Sequence, residues 1–158
     1  MPASETASGK AEGQMEPGST SPFGGELVVT DRRWRAHVPN VVRLVSRALA
    51  VAECTASVAL TDDRTVQRLN YRDRGKNKPT NVLTYEHPPE ILLAFGQVAR
   101  EAAREGKTIA QHLAHLLVHG ALHLHGFEHD HPGEAREMET EEARLLSRLG
   151  VPNPWKPR

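Results

Sequence analysis

Between Ile109 and His125 the chain carries Leu113, Leu116, Leu117, Val118, Ala121, Leu122 and Leu124. At helical periodicity these apolar side chains spread around most of the circumference. A helix that is apolar nearly all round cannot lie on a surface; other elements must enclose it, so it is expected at the centre of the fold. The same helix carries His119 and His123, four residues apart. At about 100° per residue they sit only about 40° apart on one face. Buried imidazoles need partners, and a metal ion is one answer. Gly126 can take a left-handed backbone angle and end the helix, so that the chain turns and His129 comes back toward the other two histidines. Three imidazoles converging in this way bind zinc and leave its fourth tetrahedral position open to water, the layout of a catalytic site.

Four other histidines compete for the role. His112 and His115 fall on nearly the same helical face as His119. His112 lies seven residues earlier, about 10 Å along the axis, too far to share an ion. His115 could pair with His119, but no glycine turn then delivers a third ligand. His125 projects to the opposite side and His131 lies beyond the motif. These four are read as surface, packing or supporting residues.

The spacing H-x-x-x-H-x-x-G-x-x-H is the one metzincin proteases use, but those enzymes place a glutamate base directly after the first histidine. Here that position is Gly120. The run His119-Gly120-Ala121-Leu122-His123-Leu124-His125-Gly126-Phe127-Glu128-His129 resembles the signature of the YbeY family, bacterial zinc-dependent endoribonucleases. A second segment, from Arg74-Gly75-Lys76-Asn77-Lys78-Pro79-Thr80-Asn81 to Tyr85, is similar to that family's R-G-K-D-x-P-T-N-V-L-S-F motif. The resemblance runs from about residue 26 to about residue 152. It implies a zincin-like α+β fold: a small mixed β-sheet packed with helices around a central zinc-binding helix. It also implies one Zn2+ per chain, held by His119, His123 and His129, and places Arg74 near the metal as the catalytic cation.

The activity so implied is single-strand-specific endoribonuclease cleavage in rRNA maturation, at the 3' end of the small-subunit rRNA, and in ribosome quality control. The implied partners are single-stranded RNA, rRNA and the ribosome or its assembly intermediates. Bidentate guanidinium contacts from Arg74 suit a scissile phosphate, and Lys76 and Lys78 supply point charges for substrate binding. No residue identifies itself as the general base, although Glu128 and Asp130 are close in sequence. Two departures from the family pattern stand out. Asn77 replaces the usual Asp, and Pro89-Glu90-Ile91 follows a shortened loop where Gly-Asp-Ile is common. Two rival readings remain. A metallopeptidase would want a carboxylate beside the metal water, and a ribosome-binding factor with structural zinc would want four protein ligands.

Bulk properties narrow the setting. A chain of 158 residues suits one domain with a real core. No stretch approaches the roughly 18 apolar residues of a membrane span. The N-terminus has no apolar signal region, and its Glu5, Glu12 and Glu16 argue against a transit peptide. Cys54 is the only cysteine, which excludes an internal disulfide and a thiolate cluster and suits the cytoplasm. The net charge of zero hides an asymmetry: residues 26–85 carry eleven basic against six acidic side chains, a net of +5, flanked by acidic segments. A basic half of this kind suits an RNA backbone.

Residues 1–24, rich in Gly, Ser, Pro and Ala, are expected to form a disordered tail, with residues 25–158 forming one domain. A strand is expected at Leu27–Val29 and a helix capped by Asn40 through about Ala52. The alternation from Cys54 to Thr61 predicts a half-buried strand with Cys54, Ala56, Val58 and Leu60 inward, Cys54 serving packing. Thr61 or Asp62 caps a short helix before the Arg74 loop. Strands near Asn81–Tyr85 and Ile91–Phe95 follow, then helices near Val98–Arg104, Ile109–His125 and Gly133–Leu149. Strands early and helices late point to an α+β layer arrangement.

Overall fold

Cys54, Ala56, Val58 and Leu60 are all buried, as their alternation requires, but the strand they belong to is shorter than expected. In the computed structural model, which describes residues 24–127 and 131–152, β2 covers Ser57–Thr61. Thr61 is buried rather than outward-facing, and its carbonyl accepts a 3.0 Å hydrogen bond from the indole Nε1 of Trp34. β1 (Leu27–Val29) pairs parallel with one side of β2, and β4 (Pro89–Ala94) pairs parallel with the other. β3 (Val82–Glu86) runs antiparallel to β4 after a turn at His87-Pro88, whose peptide bond is cis. The order β1-β2-β4-β3 makes a mixed four-stranded sheet with β3 at one edge. The expected tail falls almost wholly outside the described residues, as do Glu128, His129 and Asp130.

The helices fall on both sides of this sheet. α1 (Arg33–His37), a five-residue turn with no periodic signal in the sequence, buries Trp34. α2 (Val41–Val51) begins after Asn40, but Asn40 adopts a left-handed backbone (φ 57°) and its side chain makes no capping bond. Its role is therefore to turn the chain into the helix, which asparagine does at lower cost than most residues. Asp62, rather than Thr61, caps α3 (Asp63–Arg74), its carboxylate accepting from Thr65 N at 2.7 Å. α3 is longer than expected and contains Arg74 as its last residue. α4 (Phe95–Glu105), α5 (Ile109–Leu124) and α6 (Pro132–Arg148) complete the α+β fold.

Strand alternation divides the core. On one face, Leu83, Tyr85, Leu92 and Ala94 meet Val66 and Leu69 of α3. On the other, Leu27, Val58, Leu60, Ile91 and Leu93 join the larger core. There α5 is enclosed by α2, α4, α6 and strands β3 and β4, the central position its composition demands. Leu113, Leu117 and Val118 of α5 are fully buried; each such side chain is worth about 1.5–3 kcal/mol of transfer free energy. No described helix is long and apolar enough to cross a membrane.

Candidate metal centre and active site

Both ends of α5 are fixed by local hydrogen bonds, which sets the rotation of its histidine face. At the N-terminus Thr108 and Gln111 form a reciprocal capping box, with both bonds at 3.0 Å. At the other end Gly126 takes φ 97°, and Phe127 N bonds back to Leu122 O at 3.0 Å. The chain therefore turns where the sequence says it should. His129, the third expected ligand, lies outside the described residues.

His119 and His123 meet edge to face, with their Nε2 atoms 3.1 Å apart. Two nitrogens each about 2.0–2.1 Å from one tetrahedral zinc would stand about 3.3 Å apart, so the pair fits a shared ion with little movement. The other nitrogen of His119, Nδ1, is in direct contact with the Glu142 carboxylate, which comes from α6 and has no exposed surface. The second Glu142 oxygen is 3.5 Å from His115 Nε2. His115, His119 and Glu142 thus also form a group that could hold a metal ion, their ligand atoms lying within 4.8 Å of one another. The direct contact between Glu142 and His119 Nδ1 leaves no room for an ion between them. Burial pushes the Glu142 pKa up, but hydrogen bonds with His115 and His119 outweigh it and hold the carboxyl well below its usual range.

Arg74 reaches the same place from the opposite wall. Gly75 (φ 70°) ends α3 immediately after it, and the Arg74 guanidinium donates to the Thr84 carbonyl of β3 and lies 5.5 Å from the Tyr85 ring centroid. The strand is held in turn by Tyr85, whose hydroxyl donates to Asp73 at 2.9 Å. Burial, then the bond to Asp73, keeps that phenol protonated far above neutral pH. The Arg72 guanidinium 2.7 Å from Asp73 holds the Asp73 carboxyl below its usual range, and burial opposes it. Arg74, Thr84, Glu86, His119, Gly120 and His123 line one open cleft of about 340 Å³. A Cβ on Gly120 would stand 3.2 Å from Thr84 Cγ2 and 3.3 Å from Ile91 Cγ2, so α5 lies against the sheet at the residue following His119.

Lys76 and Lys78 are exposed on the loop after Arg74, and neither ammonium group has a partner among the described residues. The loop itself is strapped: Asn70 Nδ2 donates to Lys78 O at 3.1 Å, and Gln67 Nε2 donates to Asn77 Oδ1 at 3.2 Å. The residue that replaces the family's usual Asp therefore has a local structural bond. Glu90, the other departure, is buried within β4.

The competing histidines divide. His112 is buried against Glu101 at 2.7 Å. Burial depresses its pKa, and that bond opposes the shift. His125 bonds Ala52 O at 2.8 Å, tying the end of α5 to the end of α2, and His131 stands just before α6. His115 is closer to the centre than its sequence position suggested, because Glu142 links it to His119. Cys54 is buried, which raises its thiol pKa and fits a packing role. Sequence reasoning missed Glu142. Its signal was present: Met138, Glu142, Leu145 and Leu149 follow a 4-3-4 spacing, which places one acid on an otherwise apolar stripe.

A family model described as "Endoribonuclease YbeY" matches residues 25–150. The chain belongs to that family. It is 48% identical over 157 residues to the endoribonuclease YbeY of Gluconobacter oxydans, an alignment covering 90% of this chain and 93% of the relative. With the Nitrobacter winogradskyi endoribonuclease YbeY it shares 38% identity, over 88% of this chain and 85% of that one. Membership makes the enzyme class that of a hydrolytic nuclease. The fold is similar to the solution structure of TM1509 from Thermotoga maritima, with a TM-score of 0.51 at 17% identity. That likeness covers 83% of this chain and 99% of the other.

Proposed function

We propose that the protein is a zinc-dependent, single-strand-specific endoribonuclease of the cytoplasm. On this reading it acts in rRNA maturation, at the 3' end of the small-subunit rRNA, and in ribosome quality control, with the ribosome or its assembly intermediates as partner. The observation that carries the reading is the meeting of His119 and His123 from α5 with Arg74 from α3 in one open cleft. His119, His123 and His129 hold one zinc ion. When bound, the ion supplies Lewis acidity and an acidified water. Arg74 stabilises charge that develops on the phosphoryl oxygens, and its contact with the Thr84 carbonyl orients the guanidinium toward the cleft. Lys76 and Lys78 hold flanking phosphates, which positions the strand without reading its sequence.

Gly120 weighs against the peptidase reading. The glutamate that metzincins carry at this position is absent, and here its Cβ would crowd the Thr84 and Ile91 side chains, which would have to give way by a few tenths of an ångström. The test is a cleavage assay on single-stranded RNA, the same sequence as a duplex, and casein, each with and without a chelator. We expect cleavage of single-stranded RNA alone, lost with the chelator and restored by zinc. Casein hydrolysis, or RNA cleavage indifferent to the chelator, would sink the reading.

A further inference from the structure

We propose that Glu142 is the positioning residue of the metal centre: its buried carboxylate fixes His119 as the Nδ1–H tautomer and so aims the Nε2 lone pair at the point shared with His123. The inference rests on the zinc reading above and extends it to a residue on α6, outside the histidine motif.

A carboxylate with no exposed surface is costly unless its oxygens are hydrogen-bonded. Both Glu142 oxygens face imidazoles: Oε2 contacts His119 Nδ1, and Oε1 stands 3.5 Å from His115 Nε2. An ionised carboxylate only accepts, so the proton of that first contact belongs to His119 Nδ1. A neutral imidazole protonated there keeps its lone pair on Nε2, the atom 3.1 Å from His123 Nε2. The far arm of the cluster has the same polarity. Lys107, with its side chain only 8% exposed, stands 3.5 Å from His115 Nδ1. An ammonium can only donate, so Nδ1 of His115 accepts and its Nε2–H is left for Glu142. Lys107, His115, Glu142 and His119 therefore form one directed series that ends at the metal-facing nitrogen. Such outer partners of metal-bound histidines set ring orientation and raise ligand basicity.

The test uses the full chain, metal-free and zinc-loaded. Nitrogen-15 NMR of the metal-free protein should find His119 in the Nδ1–H form in wild type, with that preference lost in Glu142→Leu. Zinc affinity, measured by competition with a chelator, should fall about 10–100-fold in Glu142→Leu. Glu142→Gln keeps the volume and one acceptor, so it should melt close to wild type while binding zinc more weakly. A merely structural role would move the melting temperature and leave the tautomer alone. Wild-type zinc affinity in both variants, or an Nε2–H His119 in the metal-free wild type, overturns the inference. So does X-ray absorption that finds a Glu142 oxygen bound to the zinc. Zinc retained by His123→Ala would overturn the ligand reading instead, and the His119 tautomer would still decide the role of Glu142.

Discussion

At the scale of single residues, the roles proposed for Arg74 and for the histidines can be tested separately. Arg74→Lys keeps a positive charge but loses the planar two-point contact with a phosphate. It should fold, retain zinc and bind RNA nearly as well, yet cleave about 10²–10³ more slowly, the usual cost of one transition-state contact. Matched single-turnover rates for the two proteins would remove Arg74 from the reaction. His125→Ala makes the complementary point. Its imidazole bonds Ala52 O, and it is not among the proposed zinc ligands, so the variant should keep its zinc by elemental analysis. Its stability should drop by about 0.5–1.5 kcal/mol in a denaturant melt. That His119, His123 and Arg74 share one cleft was expected from the sequence, the histidines by their spacing and Arg74 by the family resemblance. Glu142 was not, because its partner is supplied by the packing of α6 on α5, and no local pattern records which helix an acidic residue faces.

Among the elements, α5 and β3 form the two walls of the cleft, and their separation is set at Gly120. Gly120→Glu would restore the acid of the peptidase motif. It should instead wedge the helix from the sheet, destabilising the protein by about 1–3 kcal/mol. The melting temperature and zinc content measured together would report this, and an undisturbed melt would show that the walls are not in close contact there. The apolar composition of α5 was enough to place it at the centre, and the sequence also placed helices near those observed as α2, α4 and α6. α1 was invisible because five residues with one buried side chain, Trp34, show no period. The strand at Cys54 began later than its alternation implied. Alternation marks which side chains point inward, whereas strand pairing starts only where β1 and β4 supply partners, at Ser57 and Val58.

For the molecule as a whole, the expected boundary near residue 25 can be tested directly. A Cβ on Gly25 would stand 2.4 Å from Ala56 O, so at this residue the chain is already pressed against its neighbour. A protein beginning at Gly25 should therefore melt within a few degrees of the full chain, since residues 1–24 offer few apolar side chains to bury. A loss of many degrees would show that the tail packs on the domain. The +5 excess of residues 26–85 belongs to the portion that supplies Arg74, Lys76 and Lys78, while the histidines come from the acidic remainder. The central position of α5 has a further consequence for biogenesis. The strands it covers end at Ala94, and the helix itself finishes only at Leu124. A nascent chain emerging from its N-terminus thus presents Ile91 and Leu93 to solvent before the helix that packs on their strand has been made. Folding of the larger core must wait for late synthesis, and until then the half-made protein is a client for chaperones and prone to self-association.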